Sequence, residues 1–255
     1  MIKSRDLFAA SLGVAATLGV MTFAQSEQPI MRSAIFDWNE VPVKHEEVRS
    51  VRQFFQAPTA TLDELELHVS TLQPGDTSHA PHRHVNEELV IVKGGTGAVT
   101  AKSIMGEVIV EGARGRVTAS SVNESVRVAS SSGDIFAESS NGHITLSQIT
   151  SENVDVSTIN GNVAFDGSPA ARGRYRFATH NGNITIGVPE SSNVTFTVRT
   201  YQGRFTSSLN LTGPPRSEVR QGRRTTYTLG NGSAEMELES FGGAIRIGPP
   251  GTTKK

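Results

Sequence analysis

A short apolar-x-apolar triplet recurs through the middle of the chain. The triplets are Val108-Ile109-Val110, Val117-Thr118-Ala119, Val126-Arg127-Val128, Ile135-Phe136-Ala137, Ile144-Thr145-Leu146, Val154-Asp155-Val156 and Val163-Ala164-Phe165. Their first residues stand nine apart, with one step of ten, and Ile184-Thr185-Ile186 resumes the pattern after a longer insertion. Alternation over two residues describes a strand with one face buried and one wet. A fixed spacing between such strands describes stacked repeats, each too small to hold a core alone. The segments between several triplets, such as Ser139-Ser140-Asn141-Gly142, Thr158-Ile159-Asn160-Gly161 and Thr179-His180-Asn181-Gly182, end on Asn-Gly, which suits tight turns. The expected fold class is all-β, with a β-solenoid or β-helix-like repeat domain as its main part.

Composition narrows the function classes. A formal charge of -1 gives no reason to expect a nucleic-acid partner. Arg216, Arg220, Arg223 and Arg224 form the one basic cluster, read as a solvated hairpin rather than a phosphate site. The chain has no cysteine, which rules out disulfides, thiolate metal sites and a cysteine nucleophile.

The N-terminus has the layout of an export signal: Lys3 and Arg5, an apolar run from Leu7 to Phe23, then Thr22-Phe23-Ala24 before Gln25. Cleavage after Ala24 is expected, which leaves no membrane span in the mature chain and a periplasmic or extracellular location. The piece Ser4-Arg5-Asp6-Leu7-Phe8 resembles a twin-arginine export signal that lacks one arginine, so the general secretory route is expected.

The densest chemistry lies between Gly75 and Gly95. On a strand, His82 and His84 project to one side, and Glu88 can bring a carboxylate to the same ion. Imidazole with carboxylate suits Mn, Fe, Zn or Ni. This stretch resembles the first motif of the cupin superfamily, G-x5-H-x-H-x3,4-E-x6-G: His82, His84, Glu88 and Gly95 match, while Gly75 stands one residue too far upstream. The resemblance implies a divalent metal held by His82, His84 and Glu88 in a small β-barrel. A cupin's second motif is absent. His143 and His180, the later histidines, lie beside Asn-Gly turns and do not supply a fourth ligand. Residues 25–97 are therefore expected to be a partial, half-barrel cupin-like segment. Within it, Leu65, Leu67, Val69 and Thr71 are expected to form the buried face of a strand, with His68 on the wet face.

From Gly106 onward the recurrent pieces Gly106-Glu107-Val108-Ile109-Val110, Gly115-Arg116-Val117-Thr118-Ala119, Gly133-Asp134-Ile135-Phe136-Ala137, Gly142-His143-Ile144-Thr145-Leu146 and Gly161-Asn162-Val163-Ala164-Phe165 set the pattern. They resemble the adhesin-type family of bacterial exported or surface proteins, a domain of unknown function with a β-helical fold. The likeness covers about residues 104–248 and implies no chemistry. Asp134, Asp155 and Asp166 hold no common phase, unlike the acidic repeats of calcium β-rolls. Glu138 and Glu152 are isolated and do not form the carboxylate pair of a glycosidase. The expected organisation is a signal peptide over 1–24, the cupin-like segment over 25–97, the repeat domain over 98–248 and an unstructured tail over 249–255. The expected function is a non-enzymatic envelope or surface interaction module, the alternative being a metal-binding protein using His82, His84 and Glu88.

Overall fold

The computed structural model describes residues 30–73, 75–77, 90–215 and 221–254. These fall into two compact units that divide between residues 81 and 82. The first contains β1 (Lys44–His45), β2 (Arg49–Ala57) and β3 (Leu65–Leu72), an antiparallel sheet in the order β1-β2-β3. A bulge between Gln53 and Phe55 shifts the β2–β3 register. Phe54 and Phe55 meet Phe36 at ring distances of 6.0 and 5.6 Å, and Arg52 lies 4.4 Å over the Trp38 ring. The face expected to be buried is not: Leu65 is 36% and Leu67 45% exposed. The alternation made a strand, but its Leu65 and Leu67 side chains remain in contact with water.

The second unit winds. β4 (Val90–Thr96) and β5 (Val99–Ser103) form the first rung, then β6 (Val108–Arg114) with β7 (Val117–Ser121), and β8 (Val126–Ala129) with β9 (Ile135–Ser139). β10 (Ile144–Ile149) with β11 (Asn153–Thr158) and β12 (Val163–Gly167) with β13 (Arg174–Thr179) follow, and β14 (Ile184–Gly187) opens a sixth rung. The first strand of each rung joins one sheet and the second joins the other. Val90 pairs with Val108, Val108 with Val126 and Val126 with Ile144, a step of 18 residues each time. The beat of nine is thus half a coil. The all-β solenoid expected from the repeats is the observed architecture.

Three features of the winding differ from a simple reading of the beat. Val90–Thr96 and Val99–Ser103 already belong to the stack, ahead of the first triplet recognised in the sequence. Tyr175-Arg176-Phe177 is a further triplet, with Tyr175 and Phe177 buried. The insertion before it displaces it from the beat of nine. Third, the chain leaves a slot open. β15 (Val194–Thr200) and β16 (Phe205–Ser207) skip one position, and β17 (Thr225–Leu229) runs antiparallel along β15. The chain then returns to insert β18 (Ala234–Ser240) between β13 and β15, and β19 (Ile245–Gly248) between β14 and β16. The two eight-stranded sheets enclose one core that includes Val110, Leu146, Phe165, Phe177, Phe196 and Leu238. The tail expected to lack structure forms a 3-10 turn at Thr252–Lys254, and the Gly251 N–H donates to Asp166 Oδ2 at 2.8 Å.

Candidate functional site

His82, His84 and Glu88 lie outside the described residues, as do residues 1–24, where the export signal is expected. The strand that follows Glu88, β4, runs parallel to β6 as part of the solenoid. Among the described residues, no group of three or more His, Asp or Glu side chains is placed to hold a metal ion. The later histidines serve the stack: His143 Nδ1 accepts from the Asn162 N–H at 2.9 Å, and the His180 ring stacks on Phe241 at 4.7 Å. His68 Nδ1 lies 3.2 Å from Glu66 on an exposed face.

The turn that carries the chain from the second sheet back to the first is the most repetitive part of the surface. It reads Ser139-Ser140-Asn141-Gly142, Thr158-Ile159-Asn160-Gly161, Thr179-His180-Asn181-Gly182, Thr200-Tyr201-Gln202-Gly203 and Ser240-Phe241-Gly242-Gly243. Each of its positions has a separate physical task. The first side chain is a hydroxyl turned inward, which donates to a carbonyl of the rung beneath. Thr158 Oγ1 bonds Gly142 O at 3.0 Å, Thr179 Oγ1 bonds Gly161 O at 2.8 Å and Ser240 Oγ bonds Gly182 O at 2.8 Å. These hydroxyls are buried, and the bond replaces the water they lose. The third position stacks carboxamides. Asn141 Nδ2 donates to Asn123 Oδ1, Asn160 Nδ2 to Asn141 Oδ1 and Asn181 Nδ2 to Asn160 Oδ1, at 3.0, 3.0 and 2.8 Å. At the fourth position a Cβ would collide with the rung beneath: on Gly161 it would meet Gly142 O and stand 3.1 Å from Thr158 Oγ1.

The second position faces outward, and there the repeat carries mostly apolar and aromatic side chains, with Ser140 interrupting the column between Val122 and Ile159. Ile104 is 60% and Ile159 54% exposed, and Val122 and Phe241 are exposed as well. Phe241 lies between His180 and Tyr201, with ring distances of 4.7 and 5.2 Å. The result is a ridge of apolar groups on a framework fixed by the hydroxyl and carboxamide columns. The outer face of the second sheet is different in kind. Asp155 pairs with Arg176 at 3.1 Å, Glu237 with Arg224 at 2.6 Å and Glu239 with Arg199 at 3.5 Å, all of them solvated pairs of small energetic weight. Sequence reading singled out the Asn-Gly turns but not the ridge. Aligning the chain at the 18-residue coil, rather than at the half-coil, brings the outward position into one column.

Among the described residues, no helix is long and apolar enough to cross a membrane. Neither the curated proteins nor the solved structures contain a match to the chain. A family profile described as Toastrack DUF4097 matches residues 56–248, which take in β3 and the whole winding through β19. The parallel rungs and their repeated turns therefore have a family: the chain belongs to the Toastrack DUF4097 family, a domain of unknown function.

Proposed function

We propose that this chain is an exported, non-enzymatic β-solenoid that serves as an interaction module of the envelope or cell surface. The observation that carries the reading is the outward ridge of Ile104, Val122, Ile159 and Phe241 on a hydrogen-bonded framework. Exposed apolar groups in a row are what a protein partner can bury, and a stacked framework presents them without an ordering cost. The export segment and the adhesin-type likeness supply the location and the kind of role. The test places Ser at Ile104, Val122 and Ile159 together and cross-links the tagged chain in intact cells. The expected result is loss of a defined cross-linked envelope protein while the thermal midpoint stays put. A purified chain that turns over a substrate, with a rate lost on changing the ridge, overturns the reading.

A second reading rests on sequence spacing alone: His82, His84 and Glu88 bind a divalent metal as the cupin likeness implies. It predicts stoichiometric Mn, Fe, Zn or Ni that disappears in the His82→Ala/His84→Ala chain. Metal analysis that finds none after loading with each ion counts against it.

A further inference from the structure

The ridge framework has a gap in one column of side chains. The rung inserted from the C-terminal segment turns through Phe241-Gly242-Gly243-Ala244, so the place held by Asn181 on one side and Gln202 on the other has no side chain. A Cβ on Gly242 would stand 3.4 Å from Asn181 Oδ1. Beside this gap is an open cavity of about 530 Å³ lined by Gln202, Gly203, Arg204, Gln221, Ala244 and Arg246. Among the described residues, its polar side chains are two guanidiniums and two carboxamides, with no carboxylate.

Strand pairing brings these groups together from distant parts of the chain. Phe205 pairs with Ile245 in the β16–β19 ladder, and both turn toward the core. Arg204, one residue before that pair, and Arg246, one after it, therefore face outward on the same sheet. The Ile245 N–H donates to Arg204 O at 2.9 Å and fixes the spacing. Gln221 is set by its neighbour: the Gly222 N–H donates to Thr200 O at 2.8 Å, and Arg199 Nε donates to Gly222 O at 3.0 Å. Arg127, Arg176, Arg199 and Arg224 on the outer faces each pair with a carboxylate. Arg204 and Arg246 have no ion-pair partner among the described residues.

We propose that this cavity is an oxyanion site that takes the carboxylate or phosphate group of a small ligand. Guanidinium forks match both anions through paired N–H donors, and the two carboxamides add neutral donors. With two positive charges and no carboxylate among the described lining residues, a negative charge on the ligand is favoured. The assignment stands apart from the ridge reading.

Isothermal titration of the full chain with inorganic phosphate and with malonate, at low ionic strength, tests it. One or both anions are expected to bind saturably at one site, and added sodium chloride should weaken the binding. Phosphate alone marks a phosphate-ester ligand; malonate alone marks a carboxylate ligand. The Arg204→Gln/Arg246→Gln chain is expected to lose at least about tenfold in affinity. Ala244→Asp, which puts a carboxylate into the cavity, should do the same. Both arginines are exposed, so an unchanged thermal midpoint establishes that the variant is folded. No saturable binding of either anion, or equal affinity in the wild type and the folded double variant, overturns the assignment. Ile104→Ser/Ile159→Ser is expected to leave anion binding unchanged, which separates this result from the fate of the ridge.

Discussion

The N-terminal sheet and the solenoid are both built from alternating strands, yet they differ in what covers the apolar face. In the three-stranded sheet, Leu65, Leu67 and Leu72 stay exposed, and the one buried hydrophobic among the described residues of that unit, Val41, lies outside the strands. In the solenoid, Val108, Val126, Ile144, Val163, Ile184 and Ile245 form one inward column, all but removed from solvent. Alternation specifies that a strand has an apolar face. It does not specify what lies against that face. A repeat does both, because the pattern that makes one strand also makes its neighbours and the sheet opposite. The contrast orders the expected effects of change.

The largest effect follows from the inserted strands. β18 and β19 each pair on both edges, so removing residues 232–255 leaves β15, β16 and β17 with no connection to the stack through strand pairing. A chain ending at Asn231 is expected to lose its cooperative urea transition altogether. A chain beginning at His82 is expected to keep a cooperative transition. A truncated chain ending at Asn231 that still unfolds cooperatively would break the idea that the insertion holds the solenoid together.

Single side chains should divide along the same line. Phe177 is fully buried, and its ring lies 5.2 Å from that of Phe165. Phe177→Ala is expected to cost about 3–5 kcal/mol through lost burial and a cavity. Leu67→Ala, at a site 45% exposed, is expected to stay within about 0.5 kcal/mol. Denaturant midpoints of the two variants measure the difference; equal losses would mean that the N-terminal sheet has a core of its own. Gly161→Ala probes the stacking rather than the core. Its new methyl meets the Gly142 carbonyl, a backbone atom that cannot rotate away, so a loss of about 1–3 kcal/mol is expected. Ile159→Ser, two residues earlier and facing outward, should move the midpoint by less than about 0.5 kcal/mol.

The sequence made the middle of the fold legible because there the local signal and the tertiary partner share one period. Val108 through Phe165 carry that period, and each of its triplets lies in a strand. Tyr175 and Phe177 were hidden by the loop 168–173, which lengthens one coil and puts them out of step. By sequence, Val90–Thr96 belongs to the cupin-like stretch, because its apolar run follows Glu88 directly. Pairing with β6, which local pattern does not encode, makes it a rung. The slot taken by β18 and β19 was equally hidden, since an alternating strand does not record which neighbours it will find. The cavity beside Arg204 and Arg246 inherits that blindness: the two lie 42 positions apart in sequence and meet only through the insertion.

Ionisation places the two regions at opposite ends of the pH scale. In the solenoid, the Tyr175 hydroxyl donates to Ser151 O at 2.6 Å and accepts from the Ala170 N–H at 2.7 Å. Burial pushes its pKa above the ordinary value of 10.0. The folded state therefore favours the neutral phenol. That contribution is complete below the ordinary pKa and is lost as pH rises through the raised one. Stability of the wild type should fall above about pH 10, and Tyr175→Phe should flatten that decline while costing about 1–3 kcal/mol at neutral pH. In the N-terminal sheet, the carboxylate of Glu46 is held down to about 2 by hydrogen bonds from Arg49 and Lys44, at 2.7 and 2.9 Å. A depressed carboxyl stabilises above its ordinary value of 4.5, and the benefit is lost as pH falls from there toward 2. The pair is exposed, so the global midpoint should barely respond and the readout must be local. An NMR titration of the Glu46 carboxyl is expected to give a midpoint near 2 that rises toward 4.5 in Arg49→Gln. A wild-type midpoint already near 4.5 would show that the β1–β2 hairpin does not hold this pair in solution, and the N-terminal sheet would then differ from the solenoid in local order as well as in burial.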